Sequence, residues 1–427
     1  MKRTGKTDAL GNPRAFLRGL FLTAVARADP MLCLKPHLPP RQPGRLVVIG
    51  AGKASARMAE ALESHYGPCE GLVITRYGYG RPTQRIEIVQ AAHPVPDAAG
   101  VAATQRMLDL VSALGPADQI IALISGGGSS LLCAPAPGLS LADKQGLNAA
   151  LLGSGMPISQ MNMIRKQVSA VKAGKLAALA HPAKILSLVI SDVPGDDPSE
   201  IASGPTVGST ATPAMALAAL DRWQVDLPRH IRDAIARAPA PILPDDPRLA
   251  GATLAIVAAP AQSLAAASAE ATALGVDVRH LGDAAEGEAR DLARSHAALA
   301  QTLAAENHDH AILLLSGGEC TVTRRGDGRG GPNAEYVLAA ALALNGHAQI
   351  HVLACDTDGV DGVEEVAGAY AGPDTLAIAA QQSVSAETAL AHNDAHGFFK
   401  QVGGQIVTGP TLTNVNDFRA ILILPKG

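Results

Sequence analysis

Short apolar, β-branched runs alternate with Ala- and Leu-rich stretches along almost the whole chain, and this alternation constrains the fold more than any other feature. Strand-like runs are Leu46–Ile49, Gly71–Thr75, Ile86–Val89, Gln119–Ile124, Lys184–Ile190, Thr253–Ala258, Ala311–Leu315, Ile350–Ala354, Gln405–Val407 and Ala420–Leu424. Between them lie helical patterns such as Ala54–His65, Gly100–Leu114, Lys166–Ala180, Ala261–Leu274, Ala285–Asn307 and Asn333–Leu344. Strands that alternate with helices predict an α/β protein with mostly parallel sheets. In such sheets, ligands bind beyond the carboxyl ends of the strands. Nearly every run here ends in a Gly, Ser or Asp cluster, so those clusters are where chemistry is sought.

At 427 residues, two or three domains are expected. The Pro-rich stretch 238–250 reads as a stiff linker, giving a larger domain over 1–240 and a smaller one over 241–427. Thirty-five basic against 39 acidic residues give a net charge of −4. That argues against nucleic-acid or anionic-membrane partners, which need a basic surface. Five scattered cysteines with no CxxC pair exclude a zinc finger or a disulfide framework and fit a reducing cytoplasm. Arg14 and Arg18 sit just before the apolar run Leu20–Ala26, so 13–28 reads as an amphipathic helix rather than a signal peptide. Ala- and Leu-rich helices offer a face for a homodimer.

Gly50-Ala51-Gly52-Lys53-Ala54-Ser55 follows a strand and opens a helix. Glycines at a helix start present free N–H groups to an anion, and Lys53 suits a phosphate or carboxylate. The loop is not a Walker loop, because Val47 and Ala54 stand at two required positions, and Ser55 replaces the third glycine of a dinucleotide fingerprint. Ser125-Gly126-Gly127-Gly128-Ser129-Ser130 follows a buried strand and can wrap a polyphosphate closely. Asp192, next to Ser191 at another strand end, can accept a hydroxyl proton or bind Mg²⁺; Asp196 and Asp197 are functional groups or turn formers. Gly317-Gly318-Glu319 follows a further buried strand. Asn333 and Glu335 fall in the first turn of a helix, as ligand contacts or as caps. Asp356, Asp358 and Asp361 lie within six residues and favour a hard cation held by oxygens, without the EF-hand pattern. No GxSxG elbow and no HExxH pair occurs, so a hydrolase triad and a zinc protease site lack their anchors. A lysine, Gly-rich loops and strand-end carboxylates together suit phosphoryl transfer from a nucleotide.

Taken in order, the motifs Gly50-x-Gly52-Lys53-Ala54, Ser125-Gly126-Gly127-Gly128-Ser129, Asn162-x-x-Arg165-Lys166, Ser191-Asp192-Val193-x-Gly195-Asp196, Ser203-Gly204-Pro205-Thr206, Ser316-Gly317-Gly318-Glu319 and Asp356-Thr357-Asp358-Gly359-x-Asp361-Gly362 resemble the class II glycerate 2-kinases, whose C-terminal part is the MOFRL domain. The resemblance runs from about residue 14 to 425. It implies two α/β domains, the larger with a Rossmann-like, mostly parallel sheet, and an active site in the cleft between them. It implies transfer of the ATP γ-phosphoryl to the 2-hydroxyl of D-glycerate with Mg²⁺. Lys53, Asp192 and Asp356 would be the catalytic groups. Gly50, Gly52, Ser125 to Ser130, Gly317, Gly318, Glu319 and Asn333 would contact the nucleotide. Arg165, Lys166, Ser191 and Asp196 would contact the substrate, and Asp356, Asp358 and Asp361 the metal. Many members carry Arg where Pro332 stands here; Arg324, Arg325, Arg329 or Arg165 would have to replace it, or a related 2-hydroxy acid would be preferred. The competing expectation is an NAD(P)H-dependent hydroxypyruvate reductase, a label that members of this family often carry. It is favoured by the strand–Gly-x-Gly–helix start and by Arg76 at the end of the next strand.

Overall fold

The computed structural model describes residues 10–306 and 309–426. It contains two compact units, one spanning Pro30–Val257 and the other built from the N-terminal helix together with Ala258 onward. The boundary at 240/241 is therefore corrected in two places. The Pro-rich stretch is no linker: Ile242 and Leu249 bury into the core of the first unit, and Ser209 donates its backbone N–H to Ile242. The strand that follows it completes the first sheet.

The first sheet holds β1 (Leu46–Ala51), β2 (Glu70–Arg76), β3 (Ile86–Ala91), β4 (Gln119–Ile124), β5 (Lys184–Ile190) and β6 (Ala252–Ala258), in the order β3-β2-β1-β4-β5-β6. The pairs from β3 through β5 are parallel, with Ile49 opposite Leu72 on one side and Ala122 on the other. β1 and β4 are buried almost from end to end, as expected of strands covered by helices on both faces. This is the doubly wound order, whose direction reverses between β1 and β4 and so opens a crevice at their carboxyl ends.

The second sheet holds β7 (Asp277–His280), β8 (Ile312–Ser316), β9 (Ile350–Asp356), β10 (Gly368–Ala371), β11 (Gln405–Ile406) and β12 (Asp417–Ile423), in the order β11-β10-β9-β12-β8-β7. Here the expectation of mostly parallel strands fails. Only β7–β8 is parallel; β12 runs antiparallel to both β8 and β9, and β10 antiparallel to β9 and β11. β7 and β10 are absent from the sequence reading because Asp-Val-Arg-His and Gly-Ala-Tyr-Ala carry no apolar run. Pairing with an already formed neighbour makes them strands.

Residues 13–28 do form a helix, Pro13–Arg27, started by Asn12 accepting from the N–H of Ala15. Its face of Phe16, Leu17, Leu20, Phe21 and Ala24 packs on Leu353, Phe418, Ala420 and Leu422, with the Phe21 and Phe418 rings 5.8 Å apart. That apolar face ties the N-terminal segment to the second unit. The helix expected over Lys166–Ala180 is two helices, Ile158–Gln167 and Lys175–Ala180, separated by left-handed Ala173 and Gly174. Helix Ala289–Ala305 starts four residues later than its pattern, and Asn307 lies outside the described residues. No helix among the described residues is long and apolar enough to cross a membrane.

The second unit buries a histidine against a phenol: His296 Nδ1 lies 2.8 Å from the Tyr336 hydroxyl. Burial, with the Arg419 charge adding to it, pushes the His296 imidazolium down to about 4. The unfolded chain therefore binds more protons than the folded one between pH 4 and 6.5, and stability rises with pH through that window. Neutral His296 contributes fully above pH 6.5, and roughly 3 kcal/mol is lost as pH falls to 4. His296→Gln keeps a partner for Tyr336 and is expected to flatten this slope. Urea denaturation of both proteins across pH 4 to 7 measures it.

Candidate active site

At the reversal point, the loops after β1 and β4 lock together. Lys53 N–H donates to Gly126 O at 2.8 Å and Ala54 N–H to Ser125 Oγ at 3.0 Å. Ser55 Oγ donates to Leu123 O at 2.9 Å. A Cβ on Gly50 would overlap Leu123 O and one on Gly52 the Ser125 side chain, so both glycines serve close approach of the two loops. Gly127 takes φ +78°, and a Cβ there would stand 3.0 Å from the His93 ring and 3.2 Å from Lys53 Cγ. Lys53 and His93 thus flank the half-buried turn of the triple-glycine loop.

This corrects the cradle read from sequence. Ser125, Gly126 and Gly128 are buried beneath the turn, and only Gly127, Ser129 and Ser130 face open space. The space is a cavity of about 250 Å³ lined also by His93, Lys144, Asn148, Arg165 and Lys172. Arg165 donates to Asn148 Oδ1 at 2.8 Å and to Asn162 Oδ1 at 3.1 Å. Lys172 Nζ donates to Ser129 O at 2.6 Å and approaches Ser203 Oγ, which itself bonds Ser129 Oγ at 2.6 Å. Through that contact the loop after β5, which starts at Ser191 and Asp192, folds onto the loop after β4.

Three cations, Lys144, Arg165 and Lys172, line this cavity, and among the described residues no carboxylate pairs with any of them. Burial holds the Lys172 ammonium well below its usual range, and the Lys144 charge adds to the effect. Burial lowers Lys144 and Arg165 as well. Uncompensated buried charge is costly, and an anion in the cavity would relieve it. Lys166, expected beside the substrate, instead pairs with Glu200 at 2.7 Å, and Glu200 also holds the Asn162 amide that positions Arg165. Asp192 is half-buried at the end of β5. Ser191, expected beside the substrate, is fully buried and bonds to Val193 within its own turn. Asp196 sits in the same turn at φ +55° with a buried Oδ1 that no hydrogen bond satisfies.

The motifs of the second unit resolve differently. Gly317 and Gly318 turn their carbonyls onto Arg419, a fully buried arginine in β12 that also pairs with Asp417. The Gly317 N–H is taken by Gly282 O, so this turn packs against a buried guanidinium. Glu319 is exposed. Asn333, expected at the nucleotide, is buried at the start of helix Pro332–Leu344 and donates to Asp417 at 2.6 Å, a structural bond. Asp361, expected at the metal, is held in a similar way. Its carboxylate accepts the N–H groups of Asn333 (3.0 Å) and Ala334 (2.8 Å) and lies 3.1 Å from His396 Nε2, capping that helix. Asp358 is buried and accepts from Val360 N–H, while Asp356 accepts from Asp358 N–H. Among the described residues no three His, Cys, Asp or Glu side chains gather as a metal site. The expected aspartate trio is therefore not a cage; each member follows its own backbone turn.

Pro332 takes the first position of its helix, where a missing N–H costs nothing. Of the arginines considered in its stead, Arg324 bonds carbonyls of its own loop, Arg325 is exposed and Arg329 reaches Glu364 at 3.8 Å. Arg165 alone among the four lines the basic cavity.

Comparison with known proteins agrees with this architecture. Residues 16–236 match a family described as a domain of unknown function, DUF4147, and residues 312–417 match the MOFRL family. A D-glycerate 2-kinase of Thermotoga maritima is 34% identical over 407 residues, covering 94% of this chain and 96% of the relative. The chain belongs to the DUF4147–MOFRL glycerate kinase family. The crystal structure of a Thermotoga maritima glycerate kinase superposes with a TM-score of 0.85 at 32% identity, over 95% of this chain and 98% of that one. A protein of Agrobacterium vitis, 47% identical over 96% of this chain and 94% of its own length, carries the provisional label hydroxypyruvate reductase.

Lys144, Lys172 and His93 were not singled out from sequence. One signal was present: from residue 144 to 191 there is no Asp or Glu, while Lys144, Arg165, Lys166, Lys172, Lys175 and Lys184 all fall there. Lys172→Met, which keeps the stem and removes the charge, is expected to leave the free protein at least as stable. It is also expected to abolish the rise in melting temperature that inorganic phosphate gives the parent. At about ten times Kd that rise corresponds to about 1.4 kcal/mol, and calorimetry with and without phosphate reads it.

Proposed function

We propose that this chain is an ATP-dependent D-glycerate 2-kinase, producing 2-phosphoglycerate and ADP. The observation that carries the reading is the cavity at the β1–β4 reversal, lined by three cations that pair with no carboxylate among the described residues, in a chain whose relatives include a D-glycerate 2-kinase over nearly its full length. Both the substrate carboxylate and the transferred phosphoryl are anions, and the reaction needs charge neutralised and two groups positioned. Lys53, Lys144, Arg165 and Lys172 supply the positive charge, and Ser129 and Ser130 supply hydroxyl donors. Asp192 is assigned as the base that takes the proton of the glycerate 2-hydroxyl. Mg²⁺ is assigned to the nucleotide phosphates that it accompanies. That assignment needs no closed protein cage, because Mg²⁺ keeps several waters and commonly uses one or two carboxylates plus phosphate oxygens. All five cysteines are buried and none is joined in a disulfide, which supports a reducing cytoplasm as the compartment.

The strand order of the first sheet is also that of dinucleotide-binding folds, which favours the reductase as second reading. Against it, buried Ser55 fills the place of the third glycine, and Arg76 lies over the Tyr79 ring at 5.0 Å. The two readings part in one pair of assays on the same sample. ADP release that depends on D-glycerate, with 2-phosphoglycerate as product and no NAD(P)H oxidation by hydroxypyruvate, is the expected result. NAD(P)H oxidation without ADP release would overturn the kinase. Asp192→Asn is expected to lower kcat about 10²–10⁴-fold while thermal melting stays near that of the parent; an unchanged kcat removes the base from Asp192.

A further inference from the structure

The first unit contains a second and larger cavity, of about 590 Å³, that shares no lining residue with the basic cavity above. Its walls come from the Ala136–Gly138 turn, helix Lys175–Ala180, helix Arg229–Ala236 and the segment that runs on to Arg248. The wall is apolar at Ala178, Leu179 and Ile242, and cationic at Lys175, Arg237 and Arg248. Arg248 is neutralised by Asp246. Among the described residues, Lys175 and Arg237 pair with no carboxylate. Lys175 Nζ is held by two backbone carbonyls, those of Lys166 (2.9 Å) and Ser169 (2.5 Å), and burial pulls it down to about 8. An apolar wall with unpaired cations at its edge is complementary to a small anion bearing a short apolar body.

The backbone that holds Lys175 also holds the other cavity. Ser169 is buried and lines the second cavity, and its hydroxyl accepts from the N–H groups of Val171 and Lys172. Three residues before Lys175, Lys172 crosses to Ser129 O in the basic cavity. A displacement of Lys175 or Ser169 therefore acts on the support of Lys172.

We propose that this second cavity is a regulatory site for an amphipathic anion, a carboxylate or phosphate monoester on a small apolar body, whose binding changes the KM for the acid substrate through the Ser169–Lys175 segment. The kinetic half of this proposal rests on the kinase reading; the binding half does not.

Phenyl phosphate and phenylacetate serve as the two probes, distinguishing an ester from a carboxylate source. Calorimetric titration of the full chain, with and without saturating D-glycerate, is expected to show one probe binding in the presence of glycerate. Arg237→Glu and Leu179→Glu change exposed wall residues and leave the basic cavity untouched. Each is expected to weaken probe binding at least tenfold while keeping the parent's melting temperature and its turnover without probe. In the parent the bound probe is expected to shift KM for D-glycerate at least twofold, and in the two variants to have no such effect. Absence of binding by both probes, displacement of the probe by glycerate, binding unchanged in both variants, or binding with no change in KM would each overturn the proposal. Were the chain to show no glycerate-dependent turnover at all, the kinase reading would fail by itself, and titration would still report on the cavity.

Discussion

The contact between the loops after β1 and β4 is the constraint on which the proposed site depends. Two neighbouring parallel strands whose chains leave in opposite directions open a crevice at their ends. Here the crevice is rigidly floored, because Ser125 caps the turn at Ala54 and Gly126 receives the Lys53 N–H. With the floor fixed, Gly127 can only project outward, and Lys53 and His93 are carried to its sides. Glycine is needed at position 52 because any side chain would strike Ser125. The hydroxyls that look like phosphate donors thus divide into one that builds the floor and two that face the cavity.

Charge is the second organising theme, and the two units use it in opposite ways. The second unit neutralises its buried charges internally: Arg419 pairs with Asp417, and Arg290 with Glu335. Glu335 in turn takes Asn393, whose amide oxygen receives the N–H groups of Arg325 and Gly326 and so anchors the Gly-rich loop before helix Pro332–Leu344. Among the described residues, the first unit offers no carboxylate partner to Lys144, Arg165 and Lys172 around one cavity. A fold tolerates that arrangement when a ligand supplies the missing charge, which is why the cavity and not the acidic turn Asp356–Gly362 carries the functional argument.

Much of the fold was legible in the chain. The strands β1, β4 and β5 are long apolar runs that end in turn residues, and periodicity alone places them. The N-terminal helix was legible as a helix but not as part of the second unit, since its partners Leu353 and Phe418 lie more than 300 residues away. β7 and β10 were illegible because their residues favour no strand until a neighbour offers hydrogen bonds. The break after Gln167 was hidden by an Ala- and Lys-rich sequence with good helical propensity; left-handed Ala173 and Gly174 override it.

The site divides along the same line. Sequence by itself determined the Gly-x-Gly-Lys turn, the triple-glycine loop, the strand-end aspartates and the family, because each depends on residues close together in the chain or on motifs in a fixed order. Only the tertiary structure decided which of these groups share a space. It sent Asn333 and Asp361 to a helix start, Gly317 and Gly318 to Arg419, and Lys166 to Glu200. It brought Lys144 and Lys172 to Arg165. The physical reason is that a polar residue's role is set by whether folding leaves its charge and hydrogen bonds satisfied, and that balance is made by partners that local sequence does not name.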